Sequence, residues 1–420
     1  LTKEVFFDPK FKRQLKDSVE SLPVGGLQFH PENKITPLIT SPKKELLRAL
    51  TELEPEEQWL VKSEKYKLIN LWSPGVKWNV QPGSFTHLNE FFGPVLGIMK
   101  ANNLQHACRL ANQTEYGLTA GLHSLDEGEI NYFLETIQAG NLYVNNKTTG
   151  AVVGRQPFGG IKNSRRGTGG KAGGVNYILQ FMKFEQKKGS AQIMDHFNLP
   201  YSPIDSLITL WQKVDWANES SFPGFADEIQ RTLQGIKSCH YQNLNYFSKE
   251  QSSSRSQLVI GQKNTFRYRK VGKYTIRVCP EDPVSDILLR LLAGLIAGNK
   301  VSISIPEQMR ENKTVCFLKS HFLQPVKNKF SLEFENDEEL RTKILENKIN
   351  RLAYTHPKKI PDNIYKAVAQ VNVPIFRYKP LVEGRFLMLE QFNEQCVTYT
   401  YHRYGNLDLK QFEKQTHQNG

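Results

Sequence analysis

The chain has 420 residues, of which 39% are hydrophobic and 23% charged, a balance typical of a globular protein with two or three domains. Its formal net charge is +13, from 55 Lys and Arg against 42 Asp and Glu. The basic residues are scattered, with no recognition helix and no RNA motif with interleaved aromatics. We therefore expect a basic surface rather than nucleic-acid binding through this chain. No run of about 18 apolar residues occurs, which argues against a transmembrane segment.

The cysteines are few and far apart, and none forms a CxxC pair. This usage fits a reducing compartment and argues against a zinc site or a disulfide framework. We therefore expect a cytoplasmic protein that binds no metal and whose thiols are structural. The five positions are Cys108, Cys239, Cys279, Cys316 and Cys396.

Helices alternate with strands in the first part of the chain, which predicts an α/β domain. In the helix over 103–112, Cys108 is expected to face the core with Leu104 and Ala111. In the helix over 128–139, Gly140 is the expected terminator. The other predicted elements are helices at 9–22 and 42–53, strands and turns over 70–88, and a strand in "NLYVN" at 141–145.

The composition changes after residue 185. A polar stretch opens a region, 186–255, with two plausible helices near 203–213 and 224–237, and "SKEQSSSRSQ" near its end predicts an exposed loop. A second α/β unit then begins with "KYTIRV" as a strand, a long apolar helix that Ser285 or Asp286 could cap, and "KVSISI" as the next strand. Strand, helix and strand at this spacing predict a parallel βαβ crossover. Later candidates are strands in "INRLAYTH" and "VPIFRY" and a helix at 361–369.

The stretch "GAVVGRQPFGG", residues 150–160, is dense in glycine. Glycine at this density indicates positive φ angles or a close approach of the backbone to another group. The residues alone favour a tight turn after a strand, with Phe158 in the core.

Two motifs resemble the aldehyde dehydrogenase superfamily. Glu90, Phe92, Gly93, Pro94 and Val95 match its Glu-x-Phe-Gly-Pro-Val signature, and the second motif is Ala-Asn-x-Thr-x-Tyr-Gly-Leu at 111–118. The stretch from "GNLYVNN" at 140 to "ILQF" at 181 is similar to the glutamate-γ-semialdehyde (pyrroline-5-carboxylate) dehydrogenases, in particular those of the bifunctional proline utilization A type. "YHRYGNL" at 401–407 resembles the C-terminal end of the longer members.

The resemblance implies roles for five residues. Gly150 and Ala151 would offer backbone N–H groups to the α-carboxylate of glutamate semialdehyde, since consecutive amides form an anion-binding concavity. Phe158 would lie along the aliphatic part of the substrate. Glu90 would accept hydrogen bonds from the ribose beside the nicotinamide of NAD, because a carboxylate offers only acceptors, and Phe92 would pack near the ring. An ordinary surface Glu before a Gly-Pro turn is the alternative for Glu90.

The family's chemistry also needs a cysteine nucleophile and a glutamate general base. No cysteine precedes Glu90, and the opening "LTKEVFFDPKFKRQL" resembles the segment that follows the nucleophile. The resemblance therefore implies that both catalytic residues lie upstream, in cis or in trans, and that this chain alone is inactive. FAD would belong only to an absent proline dehydrogenase part.

The second α/β unit resembles a dehydrogenase strand that carries Gly-Asn-x-Val-x-x-Lys-x-x-Glu. Gly298, Asn299, Val301 and Glu307 are kept, but Ser304 replaces the Lys that would hold adenosine ribose. We therefore predict the C-terminal half of an aldehyde dehydrogenase catalytic domain followed by a degenerate Rossmann-like domain without activity. The predicted parts are 1–185 (catalytic), 186–255 (helical connection), 256–400 (dehydrogenase-like α/β) and 401–420 (tail).

Two functions remain open at this stage. The chain is either part of an NAD-dependent glutamate-γ-semialdehyde dehydrogenase whose catalytic Cys and general base lie upstream, or a non-catalytic structural remnant of that enzyme. Both imply a homo-oligomer.

Overall fold

The computed structural model describes residues 1–165, 167–186, 203–252 and 261–401. They fall into two compact units. The first unit comprises Leu1–Gly117 and Ser124–Gln138, and the second comprises Leu118–His123 and Ala139–Gly420.

The first unit combines six helices with short strands in its described residues. The helices are α1 (Lys3–Phe7), α2 (Pro9–Glu20), α3 (Lys44–Thr51), α4 (Phe85–Leu88), α5 (Leu104–Asn112) and α6 (Glu127–Thr136). The strands are β1 (Gln58–Val61), β2 (Gly75–Trp78), β3 (Val95–Ile98) and β4 (Tyr116–Gly117). Strand β2 lies between β1, which is antiparallel to it, and β3, which is parallel.

Helix α2 shows how local sequence sets the fold of this unit. Asp8 caps it by accepting a hydrogen bond from the Lys10 N–H at 2.8 Å, and Pro9 occupies the first turn, where its missing N–H costs nothing. Phe11, Leu15 and Val19 recur every four residues on one face of the helix and pack against the apolar residues of the sheet. This confirms the helical periodicity seen in the sequence.

Several sequence predictions for this unit were wrong in detail. Only β2 forms a strand within 70–88. Helix α6 ends at Thr136, with Ile137 already extended, so Gly140 does not terminate it. On α5, Leu104 and Cys108 are buried as predicted, but Ala111 is exposed and Leu110 takes its place in the core. An alanine contributes little apolar area, so the larger leucine determines which face is buried.

The second unit contains seven α-helices and eleven strands in its described residues. The strands are β5 (Thr119–Leu122), β6 (Asn141–Val144), β7 (Ile161–Lys162), β8 (Gln251–Ser252), β9 (Gln262–Lys270), β10 (Lys273–Arg277), β11 (Lys300–Ile305), β12 (Phe330–Phe334), β13 (Arg351–Tyr354), β14 (Ile375–Arg377) and β15 (Phe392–Thr400). The helices are α7 (Pro203–Gln212), α8 (Ala226–Gln242), α9 (Val284–Ile296), α10 (Lys313–Lys319), α11 (Asp337–Leu345), α12 (Asp362–Gln370) and α13 (Gly384–Leu389).

One sheet of this unit is fully parallel, in the order β12-β11-β10-β13-β14. This is the strand order of a doubly wound, Rossmann-like fold. The predicted βαβ crossover is therefore confirmed. The predicted cap is wrong, because Pro283 precedes the helix and Ser285 and Asp286 lie within its first turn.

The other sheet has the order β5-β6-β15-β9-β8. Strands β5, β6 and β15 are parallel, whereas β9 runs antiparallel to β15 over nine residue pairs. Strands from the C-terminal part of the chain therefore share a sheet with β6, which leads into the glycine-rich loop.

Helices α7 and α8 pack into the same apolar core as the parallel sheet. Leu207, Trp211, Ile229 and Ile236 are buried with Ile276 of β10 in one cluster. The two helices predicted for 186–255 are thus confirmed, and they help to bury the sheet. Half of the predicted polar loop, residues 253–257, and the tail from 402 onward lie outside the described residues, and Gln251–Ser252 of that loop form strand β8.

Candidate functional site

Glu90 and Phe92 line one cavity of the first unit, with a volume of about 360 Å³. Thr86, His87 and Met99 are also in its wall. The Glu90 side chain is exposed and makes no hydrogen bond or ion pair with the described residues. Its carboxylate is therefore available to a ligand with hydroxyl donors.

The loop that carries these two residues has an unusual backbone. Phe92 has a φ of 51°, and its side chain is 88% exposed. A bulky residue in the left-handed region costs about 1–3 kcal/mol and persists only where its surroundings hold it there. Next to it, a Cβ on Gly93 would lie 2.5 Å from Leu46 Cδ1, so a larger residue there would require the Leu46 side chain to shift.

His87 is a part of the cavity wall that is fixed by hydrogen bonds within the protein. Its Nδ1 accepts a hydrogen bond from the Gly83 N–H at 3.0 Å, which assigns the ring proton to Nε2 and makes Nε2 the donor to the Leu110 carbonyl at 3.0 Å. Both ring nitrogens are thus occupied within the protein. His87 positions the cavity wall, and the sequence analysis did not single it out.

Gly150, Ala151 and Phe158 lie together in the glycine-rich loop of the second unit, which we define as residues 150–158 and call the anchor loop. Gly150 and Gly154 have φ values of 82° and 77°, so the density of glycine does reflect left-handed turns. Phe158 is half-buried and exchanges two backbone hydrogen bonds with Ala172, at 2.9 and 3.0 Å.

The start of the anchor loop presents free donors. In the described part of the chain, the backbone N–H groups of Gly150 and Ala151 have no protein acceptor. The nearest side-chain atom to a Cβ built on Gly150 is Lys147 Cε, 3.9 Å away, so the space around it is open. Two adjacent unpaired amides in open space can bind a carboxylate.

Close packing fixes the far end of the loop. A Cβ on Gly140 would lie 2.0 Å from the Gly159 carbonyl oxygen, which is the reason that residue 140 is glycine. The Asn141 side chain donates to the Pro157 carbonyl at 3.0 Å and accepts from the Gly159 N–H at 3.2 Å. The backbone beyond Phe158 is therefore held by β6.

A buried lysine completes this arrangement. Lys171 is 1% exposed, and its ammonium group donates to Asn141 Oδ1 at 3.0 Å and to the Gly159 carbonyl. Burial lowers the pKa of Lys171 from 10.5 to about 8, with the carboxylate of Glu394 acting in the opposite direction. Lys171 was not predicted from the sequence, because lysines are usually exposed.

The pH dependence of stability tests this assignment. Because the folded pKa lies below the unfolded one, the unfolded state binds more protons between pH 8 and 10.5, and stability should rise with pH there. Relative to Lys171→Met, wild type should gain up to about 3 kcal/mol in free energy of unfolding across this window. Urea unfolding at pH 7.5 and pH 10 measures the difference. Lys366→Met, at an exposed lysine on α12, is the control, and an equal pH trend in both variants would contradict a buried ammonium.

Four of the five cysteines are not activated thiols. Burial raises the pKa of Cys108 and Cys239, and raises those of Cys279 and Cys396 to about 12. A nucleophilic thiol needs the opposite shift. Among the described residues, no group of three or more His, Cys, Asp or Glu is placed to hold a metal ion, and no helix is long and apolar enough to cross a membrane.

The parallel sheet has its topological switch point between β10 and β13, where Rossmann-like folds bind ligands. Protein groups occupy this crevice. Asp282 is 4% exposed and accepts hydrogen bonds from the Thr355 hydroxyl, from Lys359 Nζ at 2.8 Å and from the Cys279 N–H at 2.8 Å. The bonds from Thr355 and Lys359 join the loop after β13 to the loop after β10.

Ser304, at the position of the family's lysine, is also turned inward. It is fully buried, and its hydroxyl accepts a hydrogen bond from Arg277 Nη1 at 2.9 Å. Arg277 also donates to the Glu335 carbonyl at 2.9 Å. The end of β11 therefore offers no lysine to a ribose.

Residues 3–186 match the model of the aldehyde dehydrogenase family. A 1-pyrroline-5-carboxylate dehydrogenase of Geobacillus sp. (strain WCH70) is 43% identical over 110 residues, which is 26% of this chain and 21% of that protein. The corresponding protein of Bacillus subtilis (strain 168) is 47% identical over 94 residues, or 22% of this chain and 18% of that protein.

One solved structure matches almost the whole chain. Proline Utilization A (PutA) from Corynebacterium freiburgense has a TM-score of 0.72 and 31% identity, over 95% of this chain and 35% of that one. The chain thus spans about one fifth of the length of the curated relatives and about one third of this structure.

Residues 3–186 belong to the aldehyde dehydrogenase family of oxidoreductases. The similarity to the proline utilization A structure covers 95% of the chain, so it extends beyond the residues matched by the family model.

Proposed function

We propose that this chain supplies the substrate-anchoring part of an NAD-dependent L-glutamate-γ-semialdehyde dehydrogenase, which oxidises glutamate semialdehyde to glutamate in proline catabolism. The observation that carries this proposal is the pair of unpaired backbone N–H groups at Gly150 and Ala151. A carboxylate is the charge that such a pair stabilises, and glutamate semialdehyde carries one at the end opposite its aldehyde. Phe158 would contact the methylene groups between the two ends.

The residues at the cavity of the first unit fit the nicotinamide ribose of NAD. The unengaged carboxylate of Glu90 can accept hydrogen bonds from the two ribose hydroxyls, and the exposed ring of Phe92 offers an apolar face. When bound, NAD would accept the hydride of the aldehyde. The nucleophilic thiolate and the general base would come from a segment outside this chain, in cis or in trans, because the cysteines described above are not activated.

The residues at 256–400 would form a non-catalytic, dehydrogenase-like domain that stabilises the residues of 1–185, with 186–255 connecting them. The internally bonded crevice at Asp282 supports this division of labour. We place the enzyme in the cytoplasm as a homo-oligomer, and any FAD would serve a proline dehydrogenase part outside this chain.

The proposed substrate is tested by Ala151→Trp in the complete enzyme. An indole at 151 should block the approach of the carboxylate to the two amides. We expect KM for glutamate semialdehyde to rise at least tenfold, and KM for propionaldehyde, which has no carboxylate, to change less than twofold.

Glu90→Gln is the matched control in the same assay. It should raise KM for NAD and leave the ratio of the two aldehyde KM values unchanged. If Ala151→Trp raises both aldehyde KM values equally, the anchor-loop amides do not bind the substrate carboxylate.

A further inference from the structure

The anchor loop is closed by one of its own side chains. Gln156 is 6% exposed, and its Oε1 accepts a hydrogen bond from the Val152 N–H at 3.1 Å. The backbone N–H of Gln156 donates to the Val152 carbonyl at 2.9 Å. Gln156 therefore binds both backbone groups of Val152, one residue after the amide of Ala151.

The other end of the Gln156 amide reaches a strand far along the chain. Its Nε2 donates to Asn264 Oδ1 at 3.2 Å, across 108 positions of sequence. Asn264 is 5% exposed, and the same Oδ1 accepts from the Thr398 hydroxyl at 2.9 Å. Asn264 and Thr398 face each other in the register of β9 and β15. The turn of the anchor loop is thus bonded to the sheet.

A second bond ties the loop to the same sheet. The Cys396 thiol, two residues before Thr398 on β15, contacts the Pro157 carbonyl at 2.9 Å. The side chains of Gln156, Asn264, Thr398 and Cys396 are buried, so a loop shifted from this position would leave several of their polar groups unpaired. The sheet therefore specifies one position of the loop.

We propose that Gln156 and Asn264 are positioning residues for substrate binding, through which β9 and β15 hold the N–H groups of Gly150 and Ala151 ready for the α-carboxylate. This inference rests on the proposed function. Neither side chain touches the substrate in this scheme. They reduce the conformational entropy that the anchor loop would otherwise lose when the substrate binds.

Hydrogen exchange of the 420-residue chain tests the geometry without any activity. Asn264→Leu keeps the side-chain volume and removes the acceptor, and Gln156→Met does the same within the loop. Each should speed exchange of the Val152 amide about tenfold, as expected for the loss of about one hydrogen bond. Exchange in β6 should stay unchanged in both variants.

Gln395→Met is the matched control, because Gln395 is a buried amide on β15 that bonds to Arg267 and to Ala139 but not to the anchor loop. It should leave exchange at Val152 at the wild-type rate. Unchanged exchange in Gln156→Met and Asn264→Leu, or equal acceleration by Gln395→Met, would overturn the positioning role.

Kinetics of the complete enzyme give the second readout. Asn264→Leu and Gln156→Met should raise KM for glutamate semialdehyde about tenfold, with kcat and KM for propionaldehyde within twofold of wild type. If Ala151→Trp discriminates between the two aldehydes and these variants do not, the positioning role fails and the proposed function stands. If Ala151→Trp does not discriminate, the proposed function itself fails, and the exchange experiment alone decides whether the network holds the loop.

Discussion

Replacing Arg290 by Met should lower the free energy of unfolding of the second unit by about 3–5 kcal/mol. Arg290 and Glu390 have no exposed side-chain area, and Arg290 Nε donates to Glu390 Oε2 at 3.1 Å. Burial alone would lower the pKa of Arg290, but the Glu390 carboxylate outweighs it and raises that pKa. The substitution leaves Glu390 as a buried charge without a cation, with the Tyr274 hydroxyl still donating to its Oε2 at 2.6 Å.

The double variant Arg290→Met/Glu390→Leu distinguishes the loss of the ion pair from the cost of leaving Glu390 as an unpaired buried charge. Removing both charged groups should recover most of the loss, because a buried ion pair adds little net stability over apolar residues of similar volume. Pulse-labelling hydrogen exchange at increasing urea concentrations reports unfolding of each unit separately. The control is Arg310→Met, which removes an exposed 2.7 Å ion pair with Glu307. It should leave the urea concentration of the unfolding transition unchanged. A single variant as stable as wild type would contradict the assignment of a buried pair.

The sequence predicted elements whose signal is local. The stripe on α2 and the long apolar helix α9 follow from spacing within one helix, and both helices form. The parallel pairing of β10 with β11 follows from the length of the connection between them. Such features depend on residues a few positions apart, which a single sequence displays directly.

The sequence could not predict contacts between distant segments. Nothing local marks Asn264 as the partner of Gln156, because their relation depends on β9 lying beside β15 in the same sheet as β6. Gly140 shows the same limit. Its position after an apolar helix suggested a terminator, whereas its actual constraint is the carbonyl of Gly159.

The candidate site came from the resemblance, and the structure adds its geometry. Spacing alone gave Glu90 no role beyond that of a surface residue before a turn. In the structure, Glu90 and Phe92 share one cavity, and the left-handed backbone at Phe92 is the strained feature that the residue types did not indicate. Buried lysines were also missed, since a scattered lysine in a basic chain reads as surface charge.

Lys77 is the buried lysine whose replacement should lower the free energy of unfolding of the first unit most. It lies on β2 with 1% of its side chain exposed, and its Nζ is 3.2 Å from Glu57 Oε2, whose side chain is fully buried. It also donates to the Thr86 hydroxyl at 3.2 Å, and Thr86 lines the cavity with Glu90. Lys77→Met should destabilise the first unit by about 3–5 kcal/mol, because it leaves the Glu57 carboxylate buried without a cation.

Lys77→Met/Glu57→Leu should recover most of this loss in the same pulse-labelling experiment, read from peptides of β1 and β2. Lys16→Met is the control, since Lys16 and Glu20 form an exposed pair at 3.8 Å on α2 that contributes at most about 1 kcal/mol. If the single and double variants of the Lys77 pair lose the same stability, the loss comes from packing around β2 and not from the stranded charge. Recovery in the double variant would mean that Lys77 stabilises this part of the first unit by neutralising the buried Glu57 carboxylate. An apolar pair at the two positions could then replace the ion pair.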